Sequence, residues 1–73
     1  MRWTRKNECY SRSYRLKGRK NGYKAEVVYS EIYQYYYFYV TKGEKRYNSL
    51  WDRKPYATEK ECKEACEEYC ATH

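Results

Sequence analysis

The side chains best suited to chemistry in this sequence are four cysteines, three of which recur at every fourth position near its end. Cys62, Cys66 and Cys70 form this series, and Cys9 lies far from them in sequence. Thiols form disulfides, ligate soft metals or, once deprotonated, act as nucleophiles. On a helix, residues four apart have Cβ atoms about 5–6 Å apart, whereas a disulfide needs about 3.8 Å. The three are therefore not expected to bond to one another.

Three interpretations of the cysteines remain open. They are buried free thiols, because cysteine is a natural small core residue; or one of them is bridged to Cys9; or they bind a metal. A bridge from Cys9 to Cys62, Cys66 or Cys70 would tie the first strand to the last helix and contribute about 4 kcal/mol. Zinc sites usually show two C-x₂₋₄-C pairs from separate loops, and no second pair is present. Neither a metal nor a cofactor is expected.

Other catalytic groups are scarce. His73 is the only histidine and Asp52 the only aspartate, and the sequence has no glycine-rich phosphate loop. A reactive cysteine needs an electropositive, open setting, but the three helical cysteines stand among glutamates. The sequence therefore predicts a binding protein rather than an enzyme.

The formal net charge of +6 is unevenly distributed along the 73 residues. Residues 1–24 carry nine Lys and Arg against one Glu, whereas residues 59–73 carry two Lys against five Glu. A basic N-terminal segment of this kind predicts that the protein binds nucleic acid or another anionic partner. The candidate contact residues are Arg12, Arg15, Lys17, Arg19, Lys20 and Lys24. The alternative is that the charges only keep a small domain soluble.

Alternating and aromatic-rich segments predict the strands that would position these residues. The predicted strands cover about 9–17, 23–31 and 33–42, with a short fourth allowed at 46–52. A hairpin loop is expected between Gly18 and Gly22, a bend near Ser30 and Glu31, and a turn at 42–45.

A helix is predicted at about 59–70. Thr58 follows Pro55 as an N-cap, and Glu61 completes a T-x-x-E capping box. One helical stripe holds the apolar residues of this segment, namely Cys62, Ala65, Cys66, Tyr69 and Cys70. The expected fold is α+β: one domain over 1–73, with a small antiparallel sheet of three to four strands and one C-terminal helix packed on one face.

The third predicted strand has two unlike faces because side chains alternate along a strand. One face carries a row of tyrosines: Tyr33, Tyr35, Tyr37 and Tyr39. The other face holds Phe38 and Val40 and is expected to meet the helix. The tyrosine row would then be exposed, with Tyr23, Val27 and Tyr29 as neighbours. Three interpretations stay open: tyrosines that only stabilise the sheet, a surface that stacks bases, or a protein interface.

The end of the chain is similar to two known families. The order of hairpins, strand and closing helix resembles the three-stranded DNA-binding domains of the AP2 and phage-integrase amino-terminal type. The shared motif falls on Tyr56, Thr58, Cys62 and Ala65. The resemblance implies that the sheet meets DNA, and the residues that match its contacts by position are Arg12, Arg15, Lys24 and Trp51. The stretch PYATEKECKEAC is also similar to the closing helix of Kunitz-type inhibitors, which carry six cysteines where this chain has four.

The function predicted from these features is that of a small basic nucleic-acid-binding protein, a monomer or weak dimer. The alternative is a protein-binding module, such as a viral or phage-type regulator that docks on a larger host enzyme. A purely structural domain is a third class. No apolar run approaches the roughly 20 residues of a membrane span, and the opening residues lack a hydrophobic signal core. We therefore expect an intracellular protein without a membrane partner. The abundance of Lys and Glu is compatible with a thermophilic source.

Overall fold

Five antiparallel strands form one sheet in the computed structural model, which describes residues 2–7 and 14–73. In chain order the strands are β1 (Thr4–Asn7), β2 (Tyr14–Lys20), β3 (Tyr23–Ser30), β4 (Tyr35–Lys42) and β5 (Lys45–Asn48). Each strand pairs with the next one along the chain, so the order in the sheet is the order in sequence. The α+β class is confirmed, but the prediction of three to four strands was too low.

The unpredicted strand is β1, which pairs with β2 through a register that places Thr4 opposite Lys17. It is an edge strand made of Thr, Arg, Lys and Asn, so it carries no alternation of apolar residues that a sequence pattern would reveal. Of the first predicted strand, 9–17, residues 14–17 belong to β2, and residues 9–13 lie outside the described part of the chain.

The first described hairpin turn is shorter than predicted. β2 continues through Gly18 to Lys20, which lies opposite Tyr23, so only Asn21 and Gly22 form the turn. Both have positive φ, 52° and 83°, as a two-residue type I′ turn requires. The Asn-Gly pair, rather than the Gly18–Gly22 segment, is therefore the turn signal.

Of the next two connections, the first differs in detail from expectation and the second agrees with it. β3 and β4 are joined by a four-residue turn, 31–34, in which the Gln34 N–H donates to the Ser30 carbonyl over 2.8 Å. β4 therefore begins at Tyr35, two residues later than predicted. The predicted turn at 42–45 is confirmed, since Lys42 lies opposite Lys45.

The allowed fourth strand at 46–52 is divided between two elements. Its first part belongs to β5, and Ser49–Asp52 forms a 3₁₀ turn. The Asn48 side chain caps this turn by accepting a hydrogen bond from the Leu50 N–H over 2.9 Å. A local side-chain acceptor of this kind ends the extended strand.

The predicted helix is present as α1 (Glu59–Thr72). Thr58 is its N-cap, as expected, because its hydroxyl accepts a hydrogen bond from the Glu61 N–H over 3.2 Å. The segment before the helix is held by a β-bridge in which Tyr36 and Tyr56 exchange two backbone hydrogen bonds of 2.8 Å. The helix packs on β2, β3 and β4.

The core lies between the helix and one face of the sheet. The buried residues of this cluster are Leu16, Tyr23, Ala25, Val27, Phe38, Val40, Cys62, Cys66 and Cys70. The prediction that Phe38 and Val40 face the helix is thus confirmed. The opposite side of the sheet, which the helix does not cover, is called the open face.

One part of the predicted face assignment was wrong. Val27 lies opposite Phe38 and Tyr29 opposite Tyr36, so both residues are on the helix side, as is Tyr23. They are not neighbours of the exposed tyrosines. The reason is that Val27 and Val28 are adjacent and both apolar. The alternation of side chains therefore does not show which residues of β3 face the helix.

Candidate functional site

The strand register brings basic and aromatic side chains together on the open face. Cross-strand partners share a face, and β2 and β3 are paired there as Arg15 with Val28, Lys17 with Glu26, and Arg19 with Lys24. β4 adds three of the four predicted tyrosines, since Tyr35, Tyr37 and Tyr39 lie opposite Ser30, Val28 and Glu26. β5 adds Arg46, opposite Thr41.

One end of the open face forms a shallow groove of about 690 Å³, called the basic groove. Its lining residues are Arg2, Thr4, Lys17, Gly18, Arg19, Lys24, Ala25, Glu26 and Thr41. The basic groove thus collects four cations against one carboxylate, a composition that attracts anions.

The single carboxylate of the groove is engaged by two of the cations nearby. Glu26 Oε1 lies 3.4 Å from Lys17 Nζ and 4.0 Å from Arg15 Nη1. Arg15 also donates a hydrogen bond to the Tyr39 hydroxyl over 3.0 Å. Arg19 and Lys24 differ from them: they lie directly opposite each other, and neither has an ion-pair partner among residues 2–7 and 14–73. Two like charges in this position repel each other.

The other end of the open face is aromatic. Tyr33 stacks on Tyr35 with ring centroids 5.5 Å apart and planes 14° apart, and Tyr35 meets Tyr37 edge to face at 6.4 Å. Tyr33 belongs to the turn rather than to β4, so the row continues past the end of the sheet. Tyr33 is 69% exposed, and the adjacent Ile32 is 86% exposed. The rings of Tyr33, Tyr35 and Tyr37 are called the tyrosine ladder.

Several predicted site residues are not part of this surface. Lys20 lies opposite the buried Tyr23 on the helix side, where its charge acts on Cys70. Trp51 is 65% exposed, belongs to the 3₁₀ turn and lines a groove at the β4–β5 edge with Tyr39, Thr41 and Arg46, so it borders the open face without joining the ladder. Arg12 lies outside the described residues. The structure adds Arg2, which precedes β1 and lines the basic groove, and Arg46, which the register of β5 places on the open face. Sequence reasoning missed both because neither position follows from a local pattern.

Many of the remaining tyrosines serve the core. Tyr14 stacks on Tyr29 at 5.5 Å, Tyr29 meets Tyr36 at 4.8 Å, and the Tyr14 hydroxyl donates to the Tyr36 hydroxyl over 3.0 Å. Burial, then hydrogen bonds with Tyr36 and Glu59, raises the pKa of Tyr14. The Arg5 guanidinium lies 4.5 Å above the Tyr14 ring. These rings are structural, in agreement with the interpretation that tyrosines stabilise the sheet.

The cysteines of α1 are buried free thiols. Burial raises the pKa of Cys62 to about 12 and also raises the pKa values of Cys66 and Cys70. Protonated thiols of this kind are poor nucleophiles. The disulfide from Cys9 is thus not formed at any of the three, and Cys9 itself lies outside the described residues.

Two further classes of site have no counterpart in the part of the chain that the structure describes. No group of three or more His, Cys, Asp or Glu side chains there is arranged to hold a metal ion. No helix there has the length and apolarity needed to cross a membrane.

Comparison with known proteins yields no relative from which a function could be carried over. No protein-family model, no curated protein and no solved structure matches this chain. Charge and geometry of the open face therefore carry the functional interpretation.

Proposed function

We propose that this protein binds nucleic acid through the open face of its sheet. The observation that carries the proposal is the facing pair of Arg19 and Lys24. Like charges directly opposite each other in a sheet cost stability. A bound phosphate would turn this repulsion into two attractions, because an anion between two cations lowers the energy of both.

The rest of the basic groove supports a polyanion rather than a single phosphate. Arg2 and Lys17 line the same groove as the facing pair, so several cations are available along one surface. Phosphate contacts of this type supply most of the non-specific affinity of nucleic-acid-binding proteins.

The charge of the other side of the molecule also supports this orientation. The helix that covers the opposite face of the sheet carries five glutamates and two lysines between residues 59 and 72. A polyanion is therefore attracted to the open face and repelled by the helix. This separation would orient the protein as it approaches nucleic acid.

The proposal is tested by titrating a fluorescent 12-nucleotide probe, single-stranded or duplex, at about 50 and 200 mM salt. Binding at micromolar protein concentrations or tighter, weakened more than about tenfold at the higher salt, is the expected result. Arg19→Glu and Lys24→Glu should each weaken binding severalfold. Lys60→Glu is the matched control, because it changes the net charge equally but lies on the exposed side of α1.

Two outcomes contradict the proposal. Absence of binding at low salt, from a protein of net charge +6, would reject nucleic acid as the ligand. An equal loss in Lys60→Glu and Arg19→Glu would show that only the total charge matters and would reject the open face as the site.

A second candidate function is a protein-binding module, and the exposed turn favours it. Ile32 and Tyr33 present uncharged, largely exposed side chains at the tip of the β3–β4 turn, and tyrosine is a frequent anchor of protein interfaces. On this alternative, Ile32→Ser and Tyr33→Ala abolish capture of the partner, whereas Arg19→Glu does not.

A further inference from the structure

We infer that the nucleic acid taken by the open face is single-stranded, with its phosphates in the basic groove and its bases on the tyrosine ladder. This inference rests on the proposed function and specifies its ligand. The two ends of the open face differ in what they offer to a ligand, and a single strand is the nucleic acid that can use both.

The aromatic end offers a phosphate no positive charge from β3 or β4. The open-face residues of β3 and β4 at this end are Val28, Ser30, Tyr35 and Tyr37, none of which carries a charge. Val28, opposite Tyr37, is only 7% exposed, so the surface presented at this end is that of the tyrosine rings. Rings of this kind stack on bases of any sequence, because every base has a π face.

A double helix does not present the part of a base that this end can bind. In a duplex the base faces are covered by their neighbours, and only the base edges are accessible in the grooves. Base edges are recognised by side chains such as Arg, Asn and Gln. β3 and β4 place none of these beside the ladder, and Arg15 of β2, opposite Val28, is already held by Glu26 and the Tyr39 hydroxyl. A single strand exposes the faces of its bases.

The outermost ring of the ladder is available for such a contact. Tyr33 remains 69% exposed although it already stacks on Tyr35, so much of its surface is free to meet a base. The two ends of the open face are joined by β4, on which Thr41 of the groove and Tyr35 of the ladder are six residues apart. At about 3.3 Å per residue this is about 20 Å, a span for several nucleotides of an extended strand.

The test compares three labelled probes of equal length and sequence: 12-nucleotide single-stranded DNA, the same sequence as RNA, and the 12-base-pair duplex. We expect at least one single strand to bind at least tenfold more tightly than the duplex. Tyr33→Ala should weaken single-strand binding at least about fivefold, as the loss of a stacked base does. Tyr33→Phe, the matched control, should bind normally because it keeps the ring.

Salt dependence separates the two ends. Arg19→Ala should reduce the slope of log K against log salt by about 0.7, the share of one phosphate on a single strand. Tyr33→Ala should leave that slope unchanged while lowering affinity. Tyr33 lies in an exposed turn, and a thermal melt equal to that of the parent protein would show that its replacement leaves the fold intact.

Failure of this inference is distinguishable from failure of the proposed function. Duplex binding as tight as single-strand binding, or single-strand binding insensitive to Tyr33→Ala, would overturn the inference and leave nucleic-acid binding in place. Absence of binding to all three probes would overturn both.

Discussion

Arg15 and Tyr39 are hydrogen-bonded across β3: the Arg15 guanidinium, on β2, donates to the Tyr39 hydroxyl, on β4, over 3.0 Å. Arg15 also lies 4.0 Å from Glu26 on the strand between them. Arg15 lies opposite Val28 of the aromatic end, and Tyr39 lies opposite Glu26 of the basic groove, so the contact joins the two ends of the open face. It also holds one cation of that face in a defined position before any ligand arrives.

Replacement of Tyr39 by phenylalanine should lower the free energy of unfolding by about 0.5–1.5 kcal/mol, the range of a hydrogen bond in a folded protein. Urea denaturation measures this change. Tyr37→Phe is the matched control, because Tyr37 lies on the same face and strand and its hydroxyl has no hydrogen-bond partner among the described residues. Equal effects of the two substitutions would contradict a stabilising role for the Arg15 bond.

Ser49→Ala should be more damaging than its small size indicates. The Ser49 hydroxyl is buried and accepts a hydrogen bond from the Phe38 backbone N–H over 3.1 Å, just past the end of β5. Alanine would leave this buried N–H without a partner, at a cost of about 1–3 kcal/mol. A lower midpoint in urea is the expected observation.

Ser30→Ala provides the comparison for Ser49→Ala. Within residues 2–7 and 14–73, the Ser30 hydroxyl accepts only a long, exposed hydrogen bond from the Tyr33 N–H, 3.4 Å away. Its loss should change the free energy of unfolding by less than about 0.5 kcal/mol. If both serine variants unfold at the same urea concentration, the bond from the Phe38 N–H to Ser49 does not stabilise the fold.

Thr58→Ala should destabilise the helix by about 1 kcal/mol, because the capping bond to the Glu61 N–H is lost. For a domain of this size, that corresponds to a decrease of about 4–8 °C in the melting temperature. Circular dichroism during heating measures it. Thr58→Ser keeps a capping hydroxyl and should melt close to the parent protein; a similar decrease in both variants would show that the hydroxyl is not the cause.

Stability should decline in alkaline solution because of the buried thiols. Burial raises the pKa of Cys62 from 9.0 to about 12 and raises that of Cys66 and Cys70. Above pH 9 the unfolded chain loses these protons while the folded chain retains them. The contribution is therefore complete below pH 9 and decreases as the pH rises above it; for Cys62 the decrease continues to about pH 12, by up to about 1.4 kcal/mol per pH unit.

Urea unfolding at pH 7, 9, 10 and 10.5 measures this decline. Cys62→Ala should start from a lower stability, because a buried sulfur is lost, but should show a shallower dependence on pH. Tyr47 adds to the decline only above pH 10, since burial raises its pKa from 10.0 to about 12. An unchanged slope in Cys62→Ala would contradict the assignment to thiols.

The helix and its contact face were predictable because several local signals agreed there. A capping threonine, a following glutamate and a stripe of small apolar residues all indicate the same element, and Thr58, Cys62, Cys66 and Cys70 occupy the expected roles. The face of β4 was predictable for a similar reason, since Phe38 and Val40 alternate with tyrosines that tolerate water.

The edge strand β1, and the choice of which residues of β3 face the helix, were not predictable from local patterns. β1 is polar and is stabilised by pairing with β2, which depends on residues distant in sequence. The candidate site shows the same limit. Its residue types were visible in the sequence, but the strand register places Arg46 on the open face and Lys20 on the helix side, and the tertiary fold brings Arg2 to the basic groove.

The order of elements has a consequence for the synthesis of this chain. The sheet precedes α1 in sequence, so it emerges from the ribosome before the helix that covers Leu16, Val27 and Phe38. Until α1 has packed, the apolar side of the sheet is bare, and its exposed residues can associate with those of other incompletely folded chains.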